Sequence, residues 1–241
     1  SRLVLRTVQG RGKMYKISPV KGQPFVVNED HVLSLVRTNE GLTNRRSGRL
    51  SGEVKDVSVK DYLAWSPNQK HVFKLFRTGV SFSLPVSLPL DPYVLGALLG
   101  DGSIIHTPNI TTADPEILTA VETEAKLLGL NIKFIGQRGA AASWGITTGK
   151  VGGRENPLTN ILRSLGIWGN KAVSKHIPYI YKIADESSRL SLLAGLLDTD
   201  GYLGNSVFDF LSKSEQLSLD VTFLARSLGL SANTRPCQKY D

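Results

Sequence analysis

Two stretches of this chain are near copies of each other. Val94-Leu95-Gly96-Ala97-Leu98-Leu99-Gly100-Asp101-Gly102 and Leu193-Ala194-Gly195-Leu196-Leu197-Asp198-Thr199-Asp200-Gly201 each read as an apolar, small-residue helix that ends in Asp-Gly. Glycine inside a helix costs roughly 1 kcal/mol relative to alanine, so its repeated use needs a reason. Gly96 and Gly100 lie four apart and share a face, as do Gly195 and Thr199. Small residues on one face let two helix backbones approach closely, as small-xxx-small pairs do in membranes. An acid at the end of a helix is locally unfavourable, because the C-terminus carries partial negative charge. Placed twice in matched sequence, Asp101 and Asp200 are expected side by side at the ends of paired helices, where two carboxylates make a divalent-metal site. Either stretch alone is equally a buried helix closed by a glycine cap, Gly102 or Gly201.

The repetition runs on. After Asp101 come polar, β-prone residues, then Asp114-Pro115-Glu116-Ile117, then a helical run ending in Leu127-Leu128-Gly129-Leu130. After Asp200 come Val207-Phe208-Asp209-Phe210, then Ser214-Glu215-Gln216-Leu217, then a helical run ending in Ser227-Leu228-Gly229-Leu230. From Asp101 to Gly129 is 28 positions, and from Asp200 to Gly229 is 29. Such self-similarity predicts a pseudo-twofold domain whose halves pair along the two motif helices. Asp114 and Ser214 stand just before apolar-periodic runs and are expected N-caps. Asp91 is the expected N-cap of the first motif helix, with Pro92 at its first position.

Both stretches resemble the LAGLIDADG motif of homing endonucleases. The second matches closely in Leu193 to Asp198 and Asp200-Gly201; the first is a looser variant with Gly100 at the position of Asp198. The resemblance implies a curved antiparallel sheet from each half, the two forming a saddle over double-stranded DNA. It implies a Mg²⁺ site made by Asp101, Asp200, Gly100 and Thr199, with the two carboxylates as ligands, and hydrolysis of both strands of a long asymmetric site. Lys175-His176-Ile177-Pro178 resembles the family segment whose lysine sits beside the metal; there Lys175 would orient a water or stabilise charge on phosphate. Lys133, Arg138, Lys213 and Arg235 are expected among the sheet residues that read DNA in the major groove. A nucleic-acid-binding protein without cleavage, or an RNA maturase of the same fold, is the alternative.

The formal charge is +8, which points to a polyanion. The excess sits early: residues 1–88 hold 15 Lys+Arg against 6 Asp+Glu, residues 89–241 hold 14 against 15. Part of it is the run Thr43-Asn44-Arg45-Arg46-Ser47-Gly48-Arg49, either a nucleic-acid contact or a solvated loop. The longest apolar stretch is too short to span a membrane, and Ser1 to Arg6 lacks a signal-peptide pattern, so an intracellular protein is expected. One cysteine, Cys237, excludes an internal disulfide framework and a cysteine-based zinc site.

The first 90 residues alternate like paired strands with polar turns, from Gly12 to Ile17 and from Pro24 to Leu35. The pair Asn28 and His31 is similar to the intein motif in which a Thr or Asn stands three residues before a His. The resemblance implies a partial all-β Hint splicing domain over residues 1–88, with host-protein exteins as partners. His31 would assist the first acyl shift as proton donor, and Asn28 would polarise the carbonyl. The splicing nucleophile is not at Ser1, since Arg2-Leu3-Val4-Leu5 resembles a later strand, and Arg235 to Asp241 holds no His-Asn pair. The reading is therefore of a fragment: an α+β chain with the splicing part first and a monomeric α/β endonuclease domain with antiparallel sheets over 89–241. That domain divides into 89–187 and a shorter second half, 188–241. The connector Leu84 to Pro92 carries Pro85, Pro89 and Pro92 and is placed at the boundary.

Overall fold

The computed structural model describes residues 5–7, 9–20, 22–38, 52–82, 87–149 and 155–238. The basic run Thr43–Arg49 lies outside the described residues. The chain divides into two compact units: residues 1–78 with 230–233, and residues 79–229 with 234–241. The division falls at Thr78/Gly79, ahead of the proline-rich connector.

The first unit is strand-rich. β1 (Met14–Ile17) pairs antiparallel with β2 (Phe25–Asn28), and β3 (Val32–Arg37) pairs with both β4 (Val54–Ser58) and β5 (Phe73–Leu75). Alternation sends Leu33 and Leu35 into a core with Val59, Val72 and Phe73. Two short helices, α1 (Val59–Leu63) and α2 (Pro67–Val72), follow β4; Val57 to Trp65 reads in sequence as a strand leading into a short helix, which is where α1 lies. Each starts at a serine, Ser58 accepting from the Asp61 N–H and Ser66 closing a capping box with Gln69, which satisfies donors a short helix otherwise leaves bare.

The second unit is built around α3 (Pro92–Gly100) and α7 (Glu186–Asp200). Asp91 caps α3 by accepting from the Val94 N–H at 3.1 Å, with Pro92 in the first turn as expected. Val94, Leu95, Ala97, Leu98 and Leu99 are all buried, so α3 is apolar around its whole circumference and sits centrally. A β-carbon added to Gly96 would lie 3.1 Å from the Gly195 Cα; one added to Gly195 would lie 3.0 Å from the Ala97 nitrogen. The two helices meet backbone to backbone, the approach that the glycines predict.

Each helix feeds a hairpin. β6 (Gly102–Ser103) and β7 (Asn109–Thr112) join β8 (Asn131–Arg138) and β9 (Ala141–Thr147) in an antiparallel sheet of order β6-β7-β9-β8. β10 (Gly201–Gly204) pairs with β11 (Val207–Phe210) through Asn205 and Ser206, both at positive φ, the geometry of a two-residue type I′ turn. Gly102 faces Ile110 in the first hairpin and Gly201 faces Phe210 in the second. The second hairpin is one residue longer between these pairs, which accounts for the 28 and 29 positions. α4 (Pro115–Leu127) and α8 (Glu215–Ser227) are then capped by Asp114 and Ser214, as expected. α5 (Pro157–Ser164), a short 3-10 turn and α6 (Tyr179–Lys182) lead into α7. The fold is mixed α and β with antiparallel sheets.

Candidate functional site

Asp101 ends α3 as its C-cap, and Asp200 is the last residue of α7. Because the helices touch along Gly96 and Gly195, their ends arrive together. A β-carbon on Gly100 would lie 2.8 Å from the Thr199 Cβ and 3.6 Å from Asp200 Oδ2, so only glycine fits there. The Thr199 hydroxyl donates to Gly195 O of its own helix at 2.9 Å, and its Oγ1 and Cβ both pack against Gly100. Gly100 and Thr199, read as metal neighbours, thus form the contact that sets the distance between the two acids.

Lys175 completes the cluster. The residue is 8% exposed, and Nζ donates to Gly100 O at 2.8 Å, Gly102 O at 2.9 Å and Leu98 O at 3.4 Å. The lysine therefore supplies the cation that the acid-ended helix α3 lacks in sequence. Gly100 O is engaged by this ammonium.

The electrostatics follow from burial. Asp101 is pushed up to about 6, first by desolvation, then by the Asp200 charge, with Lys175 pulling the other way. Asp200 is also raised by desolvation against the opposing pull of Lys175. Lys175 is lowered by desolvation, while both carboxylates hold its proton on. Two acids that resist ionising side by side are relieved by a cation between them. Among the described residues no group of three or more His, Cys, Asp or Glu gathers in one place. One or two carboxylates with water filling the remaining positions is the donor set of Mg²⁺, and too sparse for Zn²⁺ or an all-protein Ca²⁺ site.

The four basic residues expected on sheets divide. Lys133 pairs with Gly145 and Arg138 with Ala141, and the register slips between Phe134 and Gly136. The slip puts Lys133 and Arg138, five apart, on one face with Asn109, Thr111 and Ser143; the Thr111 and Ser143 hydroxyls bond there at 2.8 Å. Ile110, Ile132 and Ile146 point the other way, towards the helices. Lys213 and Arg235 are corrected: both are exposed but neither lies on a strand, since β11 ends at Phe210 and the chain from Leu230 to Gln238 forms none.

Asn28 closes β2 and His31 precedes β3, joined by a turn in which the His31 N–H donates to Asn28 O at 3.4 Å. Both residues are exposed.

Comparison with known proteins bears on the activity. No protein-family model matches the chain. It is similar to replicative DNA helicases. The helicase DnaB of Mycobacterium intracellulare is 36% identical over 146 residues, 60% of this chain and 20% of the relative. That of Rhodothermus marinus is 26% identical over 197 residues, 76% of this chain and 20% of the relative. The chain spans about a fifth of the length of the curated relatives it matches. These relatives overturn the expectation of an intein with a LAGLIDADG homing endonuclease, and its non-cleaving and maturase alternatives: both carry the name of a DnaB helicase. A nine-residue motif of small and apolar residues is satisfied by close helix packing, which is what Gly96 and Gly195 provide here, and it does not fix an activity. Among the described residues no helix is long and apolar enough to cross a membrane.

Sequence reasoning missed Asp220, which is 3% exposed on α8. It accepts from the Ile177 N–H at 2.9 Å and from Lys182 Nζ at 2.8 Å. A lone polar residue inside an apolar-periodic run was the available signal.

Proposed function

We propose that this chain is part of a DnaB-type replicative DNA helicase polypeptide, in which the second unit is a DNA-contacting module assisted by Mg²⁺. The observation that carries the reading is the meeting of Asp101 and Asp200 at the ends of α3 and α7, with Lys175 alongside. The similarity to replicative helicases supplies the DNA context. Mg²⁺ at the two carboxylates would offset their repulsion and offer open coordination positions to a phosphate oxygen of the DNA backbone. Lys133 and Arg138 on the solvent face of the β8–β9 sheet would add contacts to phosphates.

The test is binding of a fluorescent duplex to the 241-residue chain by anisotropy, in Mg²⁺ and in EDTA. Binding should tighten about tenfold with Mg²⁺, the equivalent of ~1.4 kcal/mol. The Asp101→Asn/Asp200→Asn double variant should bind equally in both buffers. Wild-type binding indifferent to Mg²⁺ would overturn the reading.

A further inference from the structure

Helices α4 and α8 are one design used twice, one hundred positions apart. Ile117, Val121 and Ala125 are buried on α4, and Leu217, Val221 and Ala225 are buried on α8. Both helices close on a Leu-Gly pair with the glycine at positive φ, Gly129 at 69° and Gly229 at 80°. α8 buries more of its surface, adding Thr222, Leu224 and Ser227, and two of the differing positions are polar groups with long-range partners. The cap is the exposed Asp114 in one copy and the fully buried Ser214 in the other. Midway along, Ala120 is answered by Asp220.

Both exceptions grip the same short segment. The Ser214 hydroxyl donates to Lys175 O at 2.6 Å. Asp220 Oδ2 accepts from the Ile177 N–H, while its Oδ1 accepts from Lys182 Nζ at 2.8 Å and from Gln216 Nε2 at 3.0 Å. The corresponding position of α4 is the half-buried Ala120, so the helix design itself does not call for a carboxylate there. A buried carboxylate carries a desolvation cost, so its presence calls for a purpose other than packing.

We infer that Ser214 and Asp220 are positioning residues for Lys175: they fix the main chain at residue 175 and at residue 177, and so keep the ammonium between the end of α3 and the two carboxylates. This rests on the reading of Asp101 and Asp200 as a cation site. A lysine has four flexible carbons and a strongly hydrated head, so its place in a half-dry site is only as firm as its backbone. Fastening the main chain on either side of His176 removes the motion that would let the side chain swing into water. Lys182 neutralises the clamp's own charge, which leaves Lys175 free to serve the site.

The test reads the accessibility of Lys175 and needs no cation. The 241-residue chain is acetylated at fixed pH with an N-hydroxysuccinimide ester, and modification of Lys175 is followed by peptide mass spectrometry. Asp220→Ala/Lys182→Met removes the clamp without leaving an unpaired buried charge, and Ser214→Ala removes the other bond. Labelling of Lys175 should rise about tenfold in the double variant and about threefold in Ser214→Ala, as expected when bonds restraining a local opening are lost. Amide-exchange protection of α3 and α7 should stay at the wild-type level, which a general loss of structure would not allow. Unchanged Lys175 labelling in the folded double variant overturns the proposal; if that variant does not fold, unchanged labelling in Ser214→Ala overturns it. Failure of the wild-type chain to bind Mg²⁺ would instead overturn the cation reading alone, because the labelling is done without metal.

Discussion

A β-carbon built on Gly96 would stand 3.1 Å from the Gly195 Cα, so these two glycines are the point at which α3 and α7 touch. The contact fixes everything downstream, because each helix ends in one of the two acids. Gly96→Ala gains helix propensity worth about 1 kcal/mol, but forces apart two packed backbones at about 3 kcal/mol. The net expectation is a loss of about 2 kcal/mol in urea unfolding, and weaker Mg²⁺ binding as the helix ends separate. A variant as stable as wild type would mean that the helices are not held this closely.

The site makes stability depend on pH. Asp101 is raised from 3.8 to about 6, so in the window between these values the folded state binds more proton than the unfolded chain. The contribution of this group is therefore full below about pH 4 and is lost as pH rises through 6. The full shift corresponds to ~3 kcal/mol, but the residue is more than a third exposed and screened, which leaves about 1 kcal/mol. The stability of wild type relative to Asp101→Asn should fall by that amount from pH 4 to pH 7, and 10 mM Mg²⁺, on the order of its working concentration, should restore it only at the upper end. A flat difference curve would show that Asp101 keeps ordinary acidity.

Removing the lysine should expose what it holds. Lys175→Met leaves the carbonyls of Leu98, Gly100 and Gly102 without their shared donor, and leaves both carboxylates without the neighbouring charge. A lost buried donor costs about 1–3 kcal/mol, so unfolding should be easier by about 2–4 kcal/mol at pH 7 once the carboxylate repulsion is added. At pH 5, where Asp101 carries a proton, the loss should be smaller. Equal losses at both pH values would detach Lys175 from the two acids.

The helix pair was legible because Gly96, Gly195, Asp101 and Asp200 signal through spacing, and spacing survives in one dimension. Caps at Asp91, Asp114 and Ser214 were legible for the same reason: each acts on a residue two or three positions away. The Lys175 contact spans 73 to 77 positions: its place near the two acids was readable only through the resemblance of the segment Lys175 to Pro178, and its grip on the carbonyls at the end of α3 not at all. Asp220 hid within an amphipathic run. The activity was not legible at all from a motif whose residues packing alone explains, and it took the helicase relatives to correct it.

The β8 register gives the last prediction. Lys133 and Arg138 are an odd number of positions apart and would face opposite sides of a regular strand. The slip between Phe134 and Gly136 returns them to one face, beside Thr111 and Ser143, while Lys213 and Arg235 lie off the strands. If that face meets the DNA backbone, each basic residue removed from it should lower the slope of log K against log salt by about 1. Lys133→Ala/Arg138→Ala should therefore flatten the slope by about 2, with little dependence on DNA sequence. Lys213→Ala/Arg235→Ala should leave it close to wild type. The reverse pattern would move the DNA-facing surface away from the β8–β9 sheet.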